Sequence, residues 1–303
     1  MKIRIILWAI LAFGFHVTLG QKQSNLYLGQ TPPGIVPEVF APGIISLSER
    51  YEFGSTFSKD GTEFYFGVDN NFNIQEVGRV ETWYTKLENG VWSEPKILLS
   101  HPDFTHNDPM LSPDESRLYF ISSRPLKGNK PKDIDLWYVE RTNKGWSKPK
   151  NLGAPINSSV NEYYASFTAD GALYFSSNVD DPDRGRRGFD IYKAEWKDGE
   201  FQKPVRLPEA INSEYYEADV YVAPDESYLI FCASRRGGLG QGDLYISFKD
   251  EDDNWTEAKN MGAKINDANH QLCPFVTADG KYFFYTSNKE IYWVSTKIFE
   301  EYR

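Results

Sequence analysis

The feature that most constrains this chain is repetition. An acidic turn residue recurs as Asp60, Asp114, Asp170, Asp225 and Asp279, at intervals of 54, 56, 55 and 54 residues. After each turn comes a short apolar run: Phe64 to Phe66, Leu118 to Ile121, Leu173 to Phe175, Tyr228 to Phe231 and Tyr282 to Tyr285. Runs of this length, bounded by turn residues, suit strands buried on both faces. A strand-built unit with such a period closes into a propeller or stacks into an array. The five Asp residues are assigned to structure, because a turn carboxylate can accept hydrogen bonds from nearby backbone N–H groups.

Two further strands complete each copy. Strand c opens with an acidic residue and then an aromatic one: Glu81 and Trp83, Asp135 and Trp137, Asp190 and Tyr192, Asp243 and Tyr245, Glu290 and Tyr292. Hairpin residues Asn89-Gly90, Lys144-Gly145 and Asp198-Gly199 lead out of it. Strand d carries Trp92, Trp146, Phe201 or Trp255, with Pro95, Pro149, Pro204 or Ala258 three residues on. A proline there suits an outer edge, where no ladder donor is needed.

The fifth copy stops after strand c, whereas Pro37 to Ser46 looks like the end of a copy that has no beginning. Pairing the two would complete a blade and remove an open seam. The expected fold is therefore all-β: a five-bladed β-propeller of four-stranded blades, closed by an N-terminal strand within residues 37–46. Six blades is the less favoured count. The propeller domain is expected over 37–303, with repeats over about 51–299, preceded by a Pro- and Gly-containing extension at 21–36 that alone would read as a linker.

Residues 1–20 carry Lys2 and Arg4, an apolar run from Ile5 to Phe15, and small residues near Gly20. This is the pattern of a cleaved signal peptide. The run is short for a hydrocarbon core of about 30 Å, so no stable membrane insertion is expected after cleavage. Cleavage would move the formal charge from -10 to -12. An acidic chain without basic patches argues against nucleic acid as a partner. The two cysteines, Cys232 and Cys273, could pair in an exported protein, but two separate buried thiols is the favoured reading.

The order of strand, Asp turn, Leu-Tyr-Phe, Ser-Arg and Asp-Leu-Tyr resembles the WD40-like β-propeller repeat found in TolB and in propeller modules of bacterial envelope proteins. Pro224-Asp225, the loop from Ser234 to Gly242, and Asp243-Leu244-Tyr245 carry the resemblance most fully. It implies an exported bacterial propeller, periplasmic or secreted. It does not imply an activity, because propellers host many unrelated ones.

Candidate site residues follow from the repeat frame. Eight residues before each turn Asp stand Glu52, His106, Glu162, Glu217 and Gln271; two residues later come Gly54, Asp108, Tyr164, Asp219 and Cys273. Strand a, which leads into each Asp turn ahead of the apolar run that forms strand b, is innermost in a propeller, so both sets are expected at the mouth of the central channel. Carboxylates gathered there would favour raised pKa values, a cation or a basic ligand, or would simply form a hydrated rim. Arg124, Arg186 and Arg235, in the b-to-c loops, are candidates for partner contact, Arg235 being read also as support for its own Gly-rich loop.

No nucleophile elbow, zinc-protease helix, nucleotide-binding loop or paired Cys-x-x-Cys is present, so no cofactor and no metal set is assigned. The favoured function is non-catalytic binding or scaffolding in the bacterial cell envelope, with a protein, peptide or glycan recognised on the top face. The alternative is a carbohydrate-active hydrolase or lyase, with one funnel carboxylate as acid and another as base or nucleophile.

Overall fold

The computed structural model describes residues 25–70, 80–128 and 130–303. The signal-like segment and most of the b-to-c loop of blade one lie outside the described residues. Strand a of the five blades is Tyr51–Phe57, Asn107–Leu111, Glu162–Phe167, Glu217–Val222 and Leu272–Val276. Strand b is Glu63–Asp69, Arg117–Ser122, Leu173–Ser177, Tyr228–Ala233 and Tyr282–Ser287. Strand c is Val80–Glu88, Asp135–Thr142, Asp190–Ala194, Asp243–Phe248 and Glu290–Ser295. Within each blade, a pairs with b and b with c, all antiparallel. Both faces of strand b are covered by neighbouring blades, which explains its unbroken apolar runs: Phe64 to Val68 are all buried.

Strand d differs from the expected single strand. In blade one it is split into Val91–Trp92 and Lys96–Leu99, both paired with strand c, and blade two repeats this with Gly145–Trp146 and Lys150–Asn151. Pro95 and Pro149 sit in the breaks, where their missing N–H costs no ladder bond. In blade three the first piece, Glu200–Phe201, pairs with Trp196–Lys197 as a separate ribbon before Val205–Arg206 returns to strand c.

The chain ends meet as expected. Glu38 lies opposite Trp293 and Val39 opposite Tyr292, so an N-terminal strand supplies the outer strand of blade five. Two residues of pairing are little to hold a ring. Side chains do more: Phe40 is fully buried, with its ring 5.1 Å from Phe64, 5.1 Å from Phe284 and 5.2 Å from Trp293. Residues 25–36 are a strap rather than a linker. Tyr27 packs edge-on against Phe57 of blade one and Tyr282 of blade five, while the Gln30 amide donates to the Val39 carbonyl and accepts from Ala41 N. At the other end Ile298 and Phe299 are buried, and the Tyr302 hydroxyl donates to the Met261 carbonyl at 2.6 Å.

The five turn carboxylates hold their own turns. Asp114 accepts from Ser112 Oγ at 2.7 Å and Ser116 N at 3.0 Å, and these bonds, Ser112 foremost, lower its pKa to about 2. Asp60 and Asp279 accept from Ser58 Oγ and Thr277 Oγ1, each at 2.7 Å; Asp225 accepts from Ser227 Oγ at 2.6 Å, and Asp170 from Thr168 Oγ1.

Candidate functional site

Strand a does not run straight past the channel. Near its start the pairing with strand b slips by a bulge in every blade. The residues at the slip are Gly54, Asp108, Tyr164, Asp219 and Cys273, with φ of 50, 53, 54, 51 and 53°. This left-handed backbone costs a residue with a Cβ about 1–2 kcal/mol. Asn and Asp bear it better than Tyr or Cys, because the distant Tyr hydroxyl and the weakly hydrogen-bonding Cys thiol do not bond back to the local backbone as a short carboxylate or amide can.

The bulge separates the two sets of candidates. Side chains two apart on a regular strand share a face, but a bulge residue breaks that alternation. Contrary to expectation, Glu52, His106, Glu162, Glu217 and Gln271 do not border the channel: all are at most 1% exposed. The three glutamates and Gln271 tie their own blades together. Glu162 accepts from Ser158 N and from the hydroxyls of Ser158 and Ser177, at 3.1, 2.5 and 3.1 Å. Glu217 accepts in the same way from Ser213 N and Oγ, and also from Arg235 Nε at 3.0 Å. Glu52 accepts from Leu47 N and pairs with Arg50, and Gln271 donates to Asp267 and Ser287. Burial raises Glu52 and Glu162 to about 7 against the hydrogen bonds that they accept.

The bulge residues do converge on the axis. Asp108 Oδ1 would stand only 2.5 Å from a Cβ at Gly54, so blade one leaves room for the carboxylate of blade two. Cys273 Sγ donates to Asp108 Oδ1 at 3.6 Å, and the Tyr164 hydroxyl donates to the Pro274 carbonyl, blade three reaching to blade five. Burial first, and the Asp219 charge second, raise Asp108 to about 8. Above this floor opens a funnel of about 440 Å³, whose walls include Tyr51, Phe53, Asn107, Tyr163, Tyr216 and His270. The opposite mouth is smaller, about 160 Å³, and apolar, with Met110, Phe167, Tyr221 and Phe275.

Two of the candidate arginines, Arg124 and Arg235, pack against their blades. Arg235 spans Glu217 and the Ile211 carbonyl and lies 4.9 Å from the Tyr245 ring, so it braces the blade rather than its Gly-rich loop. That loop is held instead by Asp243, which accepts from Leu239 N and Gly240 N at 2.7 and 2.9 Å. Arg124 lies over Phe104 and Trp137. The Arg186 side chain lies outside the described residues. Cys232 and Cys273 are separate buried thiols, and Cys232 Sγ is 3.2 Å from His270 Nε2. Among the described residues no group of three His, Cys, Asp or Glu could hold a metal ion. The wall residues Asn107 and His270 were not singled out by the repeat frame, because they occupy positions where the copies disagree.

The fold and this axial opening define a five-bladed β-propeller with a funnel at one mouth of its axis, lined by both polar and apolar side chains. No protein-family model matches the chain, and no curated protein matches it in sequence. Solved structures do. TolB from Acinetobacter baumannii is similar over 84% of this chain, with a TM-score of 0.51 and 14% identity; the chain spans 56% of TolB. An α-L-arabinofuranosidase from Lactobacillus brevis (TM-score 0.53, 16% identity) matches over 80% of this chain and 84% of its own. A further glycoside hydrolase (TM-score 0.53, 14% identity) matches over 88% and 92%. Identities this low speak for the fold alone.

Proposed function

We propose that the protein is a non-catalytic binding propeller of the bacterial cell envelope, periplasmic or secreted, that takes part of a protein, peptide or glycan into its top funnel. One observation carries this reading. Three of the carboxylates that a hydrolase could have used, Glu52, Glu162 and Glu217, are fully buried and engaged in holding their blades, while Tyr51, Tyr163 and Tyr216 stand in the funnel wall together with Asp108 and Asp219. Tyrosine offers a broad, stiff contact surface with a polar tip, which suits recognition. The signal-like residues 1–20 and the repeat's resemblance to TolB-type modules support the envelope setting.

A carbohydrate-active hydrolase or lyase is the second reading. It is favoured by Asp108, which near neutral pH holds the proton that a general acid needs, beside Asp219. The test compares wild type with Asp108→Asn and Asp219→Asn for binding to a glycan array and for release of reducing ends from polysaccharides. Binding by wild type with no product from any substrate supports the first reading. Turnover that vanishes in either variant while circular dichroism stays native would replace it with the second.

A further inference from the structure

Three arginines stack on the aromatic residue of strand c, and two of them have a carboxylate. Arg50 lies 5.0 Å from the Trp83 ring and its Nε donates to Glu52; Arg235 lies 4.9 Å from Tyr245 and its Nε donates to Glu217. Arg124 holds the same place in blade two as Arg235 in blade four, ten residues after the turn Asp, and lies 5.7 Å from Trp137. Facing it, at the position of Glu217, is His106. Arg124 is close enough to help depress the His106 pKa, second to burial.

The exchange leaves bonds unmade. Among the described residues, Arg124 Nε, His106 Nδ1 and the hydroxyl of adjacent Thr105 are all buried without a hydrogen-bond partner. His106 itself is 1% exposed, fixed by its backbone N donating to the Val80 carbonyl and its own carbonyl accepting from Thr82 Oγ1. Buried polar groups in native proteins are nearly always paired, and leaving one unpaired costs about 1–3 kcal/mol. Arg124 Nε and the Thr105 hydroxyl can both donate, as can His106 in its Nδ1–H tautomer. What they lack is an acceptor with several lone pairs. The fold uses a carboxylate at this spot in blades one and four.

We propose that Thr105, His106 and Arg124 form a site in blade two for the carboxylate of a ligand, which stands in for the glutamate that blades one and four carry. Of the three only Thr105 lines the top funnel, so a carboxylate entering from there must displace the side chains that cover His106 and Arg124. The site serves a binding propeller and a hydrolase alike. Its ligand is a carboxylate-bearing molecule, a sugar acid or a simpler acid.

The experiment follows the ring resonances of histidine-labelled protein while sodium acetate or sodium glucuronate replaces sodium chloride at constant ionic strength. The expected result is a saturable shift of the His106 ring. In Arg124→Gln the affinity falls about tenfold, the loss of one charged hydrogen bond. His106→Glu, which supplies the carboxylate internally, melts at a higher temperature than wild type and does not respond. Tighter binding of glucuronate than acetate assigns a sugar acid, and equal binding a simple acid. A His106 ring that does not shift saturably with either probe, or shifts equally in Arg124→Gln, overturns the proposal and leaves buried water as the occupant. Should His106→Glu fail to fold, the Arg124→Gln comparison decides alone.

Discussion

Asp135 is one methylene shorter than Glu81, its counterpart in blade one, and the difference propagates. Glu81 accepts from the Trp83 indole at 3.1 Å and from Ser100 Oγ at 2.7 Å. Asp135 accepts from Asn151 through Oδ2 at 2.6 Å, but among the described residues its buried Oδ1 and the Trp137 indole Nε1 are both unpaired. Asp135→Glu should restore the indole bond and raise the unfolding free energy by about 1 kcal/mol in urea titrations. A second prediction concerns pH. Glu52 and Glu162 ordinarily titrate near 4.5, and in the folded protein near 7. The folded state therefore holds those protons more tightly. This contribution to stability is full below about 4.5 and is lost as pH rises through about 7. The melting temperature should fall between pH 5 and pH 7.5, and fall less in Glu162→Gln. An unchanged slope in that variant would mean that Glu162 is ionised throughout.

At the scale of the element, a repeated asparagine does work that the turn and strand patterns did not announce. Asn157, Asn212 and Asn266 each clamp the second residue of a strand c. In blade three, Asn212 Oδ1 accepts from Ile191 N at 2.7 Å, and its Nδ2 donates to the carbonyls of Ile191 and Leu207 at 2.9 and 3.0 Å. The same pairing joins Asn157 to Leu136 and Asn266 to Leu244. The amide acts as a short piece of extra strand, anchoring the d-to-a loop to the blade. Asn212→Ala should cost about 2–3 kcal/mol, because it leaves buried backbone groups unpaired. Loss of less than half of that in equilibrium unfolding would mean that water replaces the amide. The spacing of these asparagines, 55 and 54 residues, is as regular as that of the turn Asp residues, so the signal was present. It was easy to miss because asparagine is also common in ordinary loops.

At the scale of the molecule, the ring is closed by packing more than by pairing. The outer strand of blade five contributes two residues, yet the apolar cluster at this seam runs continuously from blade four through blade five into blade one. The other blade contacts form smaller, separate clusters. Phe40→Ala removes the ring at the centre of the seam. It should cost about 3–5 kcal/mol and lower the melting temperature without altering the secondary structure at low temperature. A cost below 1 kcal/mol would show that strand pairing and the strap of residues 25–36 suffice.

Blade number, strand order and closure were legible because each depends on a local, repeated requirement. A turn needs its Asp, a doubly covered strand needs an unbroken apolar run, and the last blade needs the strand that its own copy lacks. The roles of the ring residues were not legible in the same way. Glu52 and Glu162 stand two residues from Gly54 and Tyr164, and in a regular strand both sets would face the channel. The left-handed bulge turns one set to the axis and the other into the blades. Nothing local announces it where the bulge residue is Tyr164 or Cys273, since neither side chain favours that backbone. By itself, then, the sequence determined the architecture, through periodicity that any copy of the unit reveals. Only the tertiary structure decided which polar residues meet, because five bulges acting together around one axis, and not any single strand, place Asp108 beside Cys273 and turn Glu52, Glu162 and Glu217 into the blades.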